Sequence, residues 1–261
     1  MSRTREILVT NDDSINSKGV KELALIMREY GNVTVVAPSH TQSGKSVGLT
    51  MDAPLRLKNI LKESGLSAYK LNGTPADCIK MAINQFYSKR LPDLIVSGIN
   101  HGSNASIACV YSGTLGAAIE GTIYGIPSIG FSLNNHSREA DFSASVHYVR
   151  IILDKYFSNP GLLKPGTYFN VNIPSLPLEQ IKGIRFARQG AGRWIKEFIH
   201  HVDPQGREYS WMSGEFENLE EMTSDADHIL NHLGYVSIVP HKIDSTDYSE
   251  FSRLKELNLF E

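Results

Sequence analysis

The sequence predicts a doubly wound α/β fold with a mostly parallel sheet, a C-terminal β-hairpin arm and a C-terminal helix. Three observations carry this expectation. Short runs that are apolar throughout alternate with segments of helical spacing over the first two-thirds of the chain, the pattern of strands covered on both faces. Polar loops rich in Asp, Ser and Asn follow those runs. The last third changes character, to an aromatic and charged stretch around a turn signal and then an amphipathic helix.

Ile7-Leu8-Val9 is the first strand, closed by Thr10-Asn11-Asp12-Asp13. Val20 to Met27 has Val20, Leu23, Ala24 and Met27 on one helical face, and Gly31-Asn32 ends that helix. Val33 to Val36 is a strand stopped by Pro38. Thr74 to Tyr87 is a helix with Thr74 as cap, Pro75 in the first turn, and Ile79, Ala82, Ile83 and Phe86 on its apolar face. Leu94-Ile95-Val96 is a third strand, Thr114 to Tyr124 a small-residue helix that can pack closely, and Ser128 to Leu133 a fourth strand. Beyond residue 140, helices are expected over Phe142 to Phe157, Asp225 to Leu233 and Tyr248 to Leu257. Strands are expected over Tyr168 to Ile173, Ile184 to Ala187 and Tyr235 to Val239. The stretch from Trp194 to Trp211 holds Asp203-Pro204-Gln205-Gly206 and reads as a hairpin. The chain is expected to be one α/β domain over 1–261, with a core over 1–160 and a hairpin arm and C-terminal oligomerisation elements over 161–261.

The 261 residues carry a formal net charge of -2, so the basic footprint of a nucleic-acid binder is missing and a small substrate is expected rather than a polymer. Two cysteines, Cys78 and Cys109, do not make a disulfide framework. No stretch approaches the length of a membrane span, and the opening MSRTREILVTNDD fits no signal peptide. The cytoplasm is the expected location.

Ligands of doubly wound sheets sit beyond the carboxyl ends of strands. The loops there are Asn11-Asp12-Asp13, Ser39-His40-Thr41-Gln42-Ser43-Gly44 and Ser97-Gly98-Ile99-Asn100-His101-Gly102-Ser103-Asn104. Adjacent carboxylates repel unless a cation compensates, and carboxylate, hydroxyl and amide oxygens suit a hard divalent ion, magnesium or manganese before zinc. Taken alone, Asp12 and Asp13 read equally as caps of the following helix. Tyr111-Ser112-Gly113-Thr114 can present backbone N–H groups to a phosphate at a helix start, or be an ordinary Ser/Thr cap. Ser43-Gly44-Lys45-Ser46 ends like a P-loop, but Ser39 stands where that motif needs Gly and no helix pattern follows. His228 and His232 are four apart on a helix, without a third zinc ligand.

Asn11-Asp12-Asp13, Gln42-Ser43-Gly44, Gly73-Thr74-Pro75-Ala76-Asp77-Cys78, Ser97-Gly98-Ile99-Asn100-His101-Gly102, Tyr111-Ser112-Gly113-Thr114 and Asn170-Val171-Asn172-Ile173-Pro174 together resemble the survival protein SurE family, in its order. Arg188-Gln189-Gly190 and Gly234-Tyr235-Val236-Ser237 extend the resemblance over essentially the whole chain. It implies a Rossmann-like fold and a metal-dependent 5'-nucleotidase of nucleoside monophosphates, with 3'-nucleotidase and exopolyphosphatase side activity. It also implies one divalent ion per subunit on Asp12, Asp13, Ser43 and Asn100, with Asp12 and Asp13 catalytic. Asn11, Ser112, Gly113 and Thr114 become the phosphate site, and a homodimer or homotetramer the expected assembly, with exchanged C-terminal elements. His101, beside Asn100, either steadies a neighbouring ligand or acts as a general acid, or is a solvent-facing loop residue. The chain departs from the pattern at Ser14, at Ala105-Ser106, where Gly is common, and at Val239, where Thr is common. Two rivals to metal-assisted hydrolysis are an aspartyl-phosphate intermediate and a non-catalytic nucleotide-binding module.

Overall fold

The computed structural model describes residues 3–257. Its strands are β1 (Glu6–Thr10), β2 (Asn32–Pro38), β3 (Leu57–Glu63), β4 (Leu66–Leu71), β5 (Leu94–His101), β6 (Ser128–Leu133), β7 (Thr167–Ile173), β8 (Ile184–Phe186), β9 (Gly192–Ile195), β10 (Phe198–Val202), β11 (Glu208–Met212), β12 (Glu215–Asn218) and β13 (Val236–Lys242). The α-helices are α1 (Lys18–Met27), α2 (Pro75–Phe86), α3 (Ala108–Tyr111), α4 (Gly113–Ile123), α5 (Ser143–Ser158), α6 (Asp227–His232) and α7 (Tyr248–Glu256). Nine strands form one sheet in the order β3-β4-β2-β1-β5-β6-β7-β13-β8. The six from β4 to β7 are mutually parallel, while β3 and β13 pair antiparallel with β4 and β7.

Alternation along each strand sorts the core into two layers. Ile7 and Val9 of β1 join Val20, Leu23 and Met27 of α1 and Val149, Ile152 and Leu153 of α5 in one cluster. Leu8 points the other way, into Cys78, Ile79 and Ala82 of α2 and Ala117 of α4. Both faces are thus covered, which is why the strands are apolar throughout. Helix starts follow from local chemistry. The Thr74 hydroxyl accepts from Asp77 N at 3.1 Å, and the Asp77 carboxylate accepts from Thr74 N at 2.9 Å, a reciprocal cap with Pro75 in the first turn.

Three differences from the sequence reading matter. β5 does not stop at Val96 but runs to His101, so Ser97 to His101 lie in the strand, with irregular pairing to β6 between Ser97 and Asn100. The β3–β4 pair was not expected: six of seven β3 residues are exposed, and an edge strand with little buried face shows no alternation. β7, β8 and β13 lie past the core boundary expected at residue 160 and yet complete the main sheet. The hairpin is present as β10–β11 around Asp203 to Arg207, and β9–β12 prolongs the arm toward the sheet. Asn258, which the sequence pattern places on the same helix face as Phe251, Leu254 and Leu257, lies outside the described residues. Among the described residues no helix is long and apolar enough to cross a membrane.

Candidate active site

From β1 the chain moves to β2 and β4 on one side, then returns to place β5, β6 and β7 on the other. The loops after β1 and β5 therefore diverge and leave a crevice at the switch point. Asp12 stands there, 4% exposed. Burial first, and the neighbouring Asp13 second, push its carboxyl up to about 6, against hydrogen bonds from Thr114 that pull it down. Thr114 Oγ1 donates to Asp12 Oδ1 at 2.6 Å. The start of α4 lies so close that a Cβ on Gly113 would sit 2.8 Å from Asp12 Cβ, which only glycine avoids.

Asp13 is fixed from β5. Its Oδ2 accepts from His101 N at 2.9 Å and lies 3.0 Å from His101 Nδ1. The imidazole packs edge-on against Phe142, centroids 5.0 Å apart, so of the two readings of His101 the solvent-facing one does not hold. Asn100 is buried and donates from Nδ2 to Gly102 O at 2.8 Å. Ser43 is exposed and lines, with Asp13 and His101, an open cleft of about 650 Å3. Its loop is tied down at both ends, by Gln42 N on Asp12 O at 2.7 Å and Ser46 N on Tyr111 O at 3.0 Å. Ser112 caps α4 by accepting from Leu115 N at 3.1 Å. Asn11 spends its amide nitrogen on Ser14 O and Ser17 Oγ, at 3.0 and 2.8 Å, shaping the turn into α1. Its buried Oδ1 has no hydrogen-bond partner.

This set fits a hard divalent cation. Two carboxylates lie side by side, one of them buried at a charge cost, with neutral oxygens on the flanking loops. Among the described residues no group of three or more His, Cys, Asp or Glu could hold a metal, so neutral oxygens have to complete any coordination. His228 is not a zinc ligand in waiting: its Nε2 lies 2.7 Å from Asn218 Oδ1.

The segment after β5 is held by buried amides. Asn104 N donates to Asn172 Oδ1 at 2.8 Å, Asn172 Nδ2 to Asn170 Oδ1 at 3.0 Å, Asn170 Nδ2 to Asn104 O at 2.9 Å, and Asn104 Nδ2 to Ser132 Oγ at 2.8 Å. This closed network gives Asn170-Val171-Asn172 its purpose: it holds the segment that follows Asn100 and His101 at the end of β5. Asp227, fully buried, accepts from Ser106 N, Gly190 N and His228 N at 3.0, 3.1 and 2.8 Å. Lys18, His136 and Arg138 also line the cleft and were not expected there. The strand-end rule applied to β6 would have found the last two. Lys18 had no signal.

A family profile described as "Survival protein SurE" matches residues 7–196. The chain belongs to the survival protein SurE family. It is similar to "5'-nucleotidase SurE" of Phocaeicola vulgatus, 42% identical over 97% of this chain and 96% of the relative. It is similar as well to "5'-nucleotidase SurE" of Cytophaga hutchinsonii, 44% identical over 95% of each. The crystal structure of the SurE protein from Aquifex aeolicus superposes with a TM-score of 0.82 at 34% identity, over 97% of this chain and 99% of that one. The resemblance and the fold expected from it are therefore correct.

Two departures from the SurE pattern acquire a physical description. Ser14 and Ser106, at two of the positions where departures from the family pattern were expected, have φ of 88° and 53°, in the left-handed region. Serine holds that conformation here with help: Ser14 O accepts from Asn11 Nδ2 and Ser17 N, and Ser106 Oγ donates to Gly190 O at 2.9 Å. The third departure, Val239, is buried in β13.

Proposed function

We propose that the crevice between β1 and β5 hydrolyses nucleoside 5'-monophosphates to nucleoside and phosphate. The chain is then a phosphoric monoester hydrolase, as the names of its relatives indicate for them. The observation that carries the reading is the meeting of two carboxylates, Asp12 and Asp13, with the N-terminus of α4 at Thr114. Phosphate is an anion for helix-start N–H groups, and carboxylates beside it need a cation between them and the substrate. Asp12, Asp13, Ser43 and Asn100 are the residues that would hold one divalent ion per subunit. When bound, such an ion would offset the charge of the two carboxylates and supply Lewis-acid polarisation of the phosphate and of water. Asp12, buried and oriented by Thr114, aligns the attacking water and takes its proton. His101 fixes Asp13 so that the other carboxylate oxygen faces the cleft. The Ser112 hydroxyl and the N–H groups of Gly113 and Thr114 stabilise charge on the phosphoryl oxygens as the bond to the nucleoside oxygen breaks, and that oxygen leaves with a proton from solvent. The same chemistry reaches 3'-monophosphates and polyphosphate ends, and we include these as side activities.

The test is a phosphate-release assay over a panel of monophosphates. Exhaustive chelation should silence the protein, and magnesium or manganese should restore it. Ser43→Ala and Asn100→Ala should each raise the metal concentration for half-activity about tenfold, because each removes one neutral ligand and leaves both carboxylates. Activity that persists without metal would sink the ion site. Nucleotide binding with no phosphate release would leave the binding-module reading.

We also propose a homodimer or homotetramer. In the arm, Phe198, Val202, Trp211 and Met212 are exposed, and α7 buries none of its residues, with Phe251, Leu254 and Leu257 outward. An apolar surface of this kind needs a partner, and exchange of arms between identical chains supplies one. Light scattering should give at least twice 29.0 kDa. Truncation before Asp244 should lower that mass or cause aggregation. A fully active monomer at micromolar concentration would refute the exchange and leave the crevice untouched.

A further inference from the structure

Beside the cleft lined by Asp13, Ser43 and His101 lies a second cavity of about 500 Å3, within the usual range for small-molecule sites. Its floor comes from the segment after β5 and its wall from the base of the arm. Trp194 on β9 and Phe216 on β12 are cross-strand partners, with ring centroids 5.8 Å apart and planes at 72°. They are 38% and 37% exposed, so aromatic surface faces the space between arm and sheet. The two cavities are contiguous in residues. His136 lines both. A Cβ on Gly102 would lie 2.3 Å from His136 Cε1, which places that ring on the loop whose Gly102 O accepts from Asn100. Ser103, the next residue, lines the aromatic cavity.

We propose that this cavity holds the nucleobase of the substrate whose phosphate sits at Asp12, an inference that rests on the nucleotidase reading. A mononucleotide is a phosphate and a flat aromatic ring joined by one sugar, and it requires an anion site and a stacking surface separated by a short polar step. The crevice, the His136–Ser103 step and the Trp194–Phe216 wall stand in that order. Stacking on an aromatic side chain is tolerant of base identity. Edge recognition falls to Asn134. Its Nδ2 donates one hydrogen bond, to Asn231 Oδ1 at 3.3 Å, and a second amide proton remains for a base. Asn218, also in the lining, is spent on Glu220 N, Glu220 O and His228 Nε2 and serves as wall.

The test compares kcat/KM for adenosine 5'-monophosphate and ribose 5-phosphate. Wild type should prefer the nucleotide at least about tenfold. Trp194→Ala should reduce that preference about tenfold, through KM rather than kcat, and Trp194→Phe should recover most of it. A preference that survives Trp194→Ala at the wild-type value, or a wild type with no preference, overturns the proposal. Binding can be read without turnover, since the chain has two tryptophans and Trp211→Phe leaves Trp194 alone. Adenosine should quench its fluorescence saturably and ribose should not. Quenching that follows protein concentration instead of adenosine would assign the cavity to a second copy of the chain and overturn the base site. If wild type releases phosphate from neither compound, the nucleotidase reading fails, and the adenosine titration still decides the cavity.

Discussion

Asp12→Asn is expected to lower kcat about a thousandfold or more while leaving the fold intact. The substitution changes almost no volume. The amide oxygen can still accept from Thr114 Oγ1, which now meets Asp12 Oδ1 at 2.6 Å, so α4 keeps its seat. What is lost is a buried charge that can bind a cation and accept a proton. Because that charge is buried beside Asp13, the native arrangement is costly without a cation. In chelator the variant should therefore melt at or above the wild-type temperature, with activity gone, the signature of a strained functional group rather than a structural one. Circular dichroism and the phosphate assay read the two quantities separately. A variant with near-normal turnover would remove Asp12 from the centre. Acid-stable phosphate trapped on wild-type Asp12 would replace the water mechanism with an aspartyl-phosphate.

In sequence the acid pair stood out only in company: alone, Asp12 and Asp13 read equally as helix caps, and it was the matching polar loops after two further strands that favoured a site. The start of α2 needed no company: Thr74, Pro75 and Asp77 lie within four residues of one another and set the helix start by local bonds alone. Other features depend on contacts distant in sequence. His101 reads as an ordinary loop histidine until β5 is seen to carry it onto Asp13, 88 residues earlier. Asn170 and Asn172 look like polar residues misplaced in a buried strand until Asn104 is found between them and Ser132. Trp194 and Phe216 meet only through the β9–β12 register, which the turn signal at Asp203 to Gly206 fixes but which no periodicity displays. Asp227 carried no motif of its own.

That residue should show the opposite phenotype to Asp12. Asp227→Ala removes the acceptor for Ser106 N, Gly190 N and His228 N, three donors belonging to three separate segments. Ser106 and Asp227 are both essentially inaccessible, at 1% and 0% exposure, so water does not readily replace the carboxylate. An unsatisfied buried donor costs about 1–3 kcal/mol, and the loss of three that share one acceptor should total about 4 kcal/mol. For a chain of this size that corresponds to a fall of roughly 10 °C in melting temperature. Asp227→Asn should cost less, because one oxygen remains for Gly190 N and His228 N while an amide group now faces Ser106 N. Below its melting temperature the Asp227→Ala protein should keep its metal requirement, since none of the four proposed ligands is touched. Its KM should rise, because Ser106 anchors the segment between the end of β5 and the aromatic cavity. Thermal melts of wild type and both variants, with metal titrations at low temperature, check this. A melting temperature within about 2 °C of wild type for Asp227→Ala would mean that the three donors find other partners. In that case the segment from Ser103 to Ser106 would be held by the Asn104–Asn172 network alone.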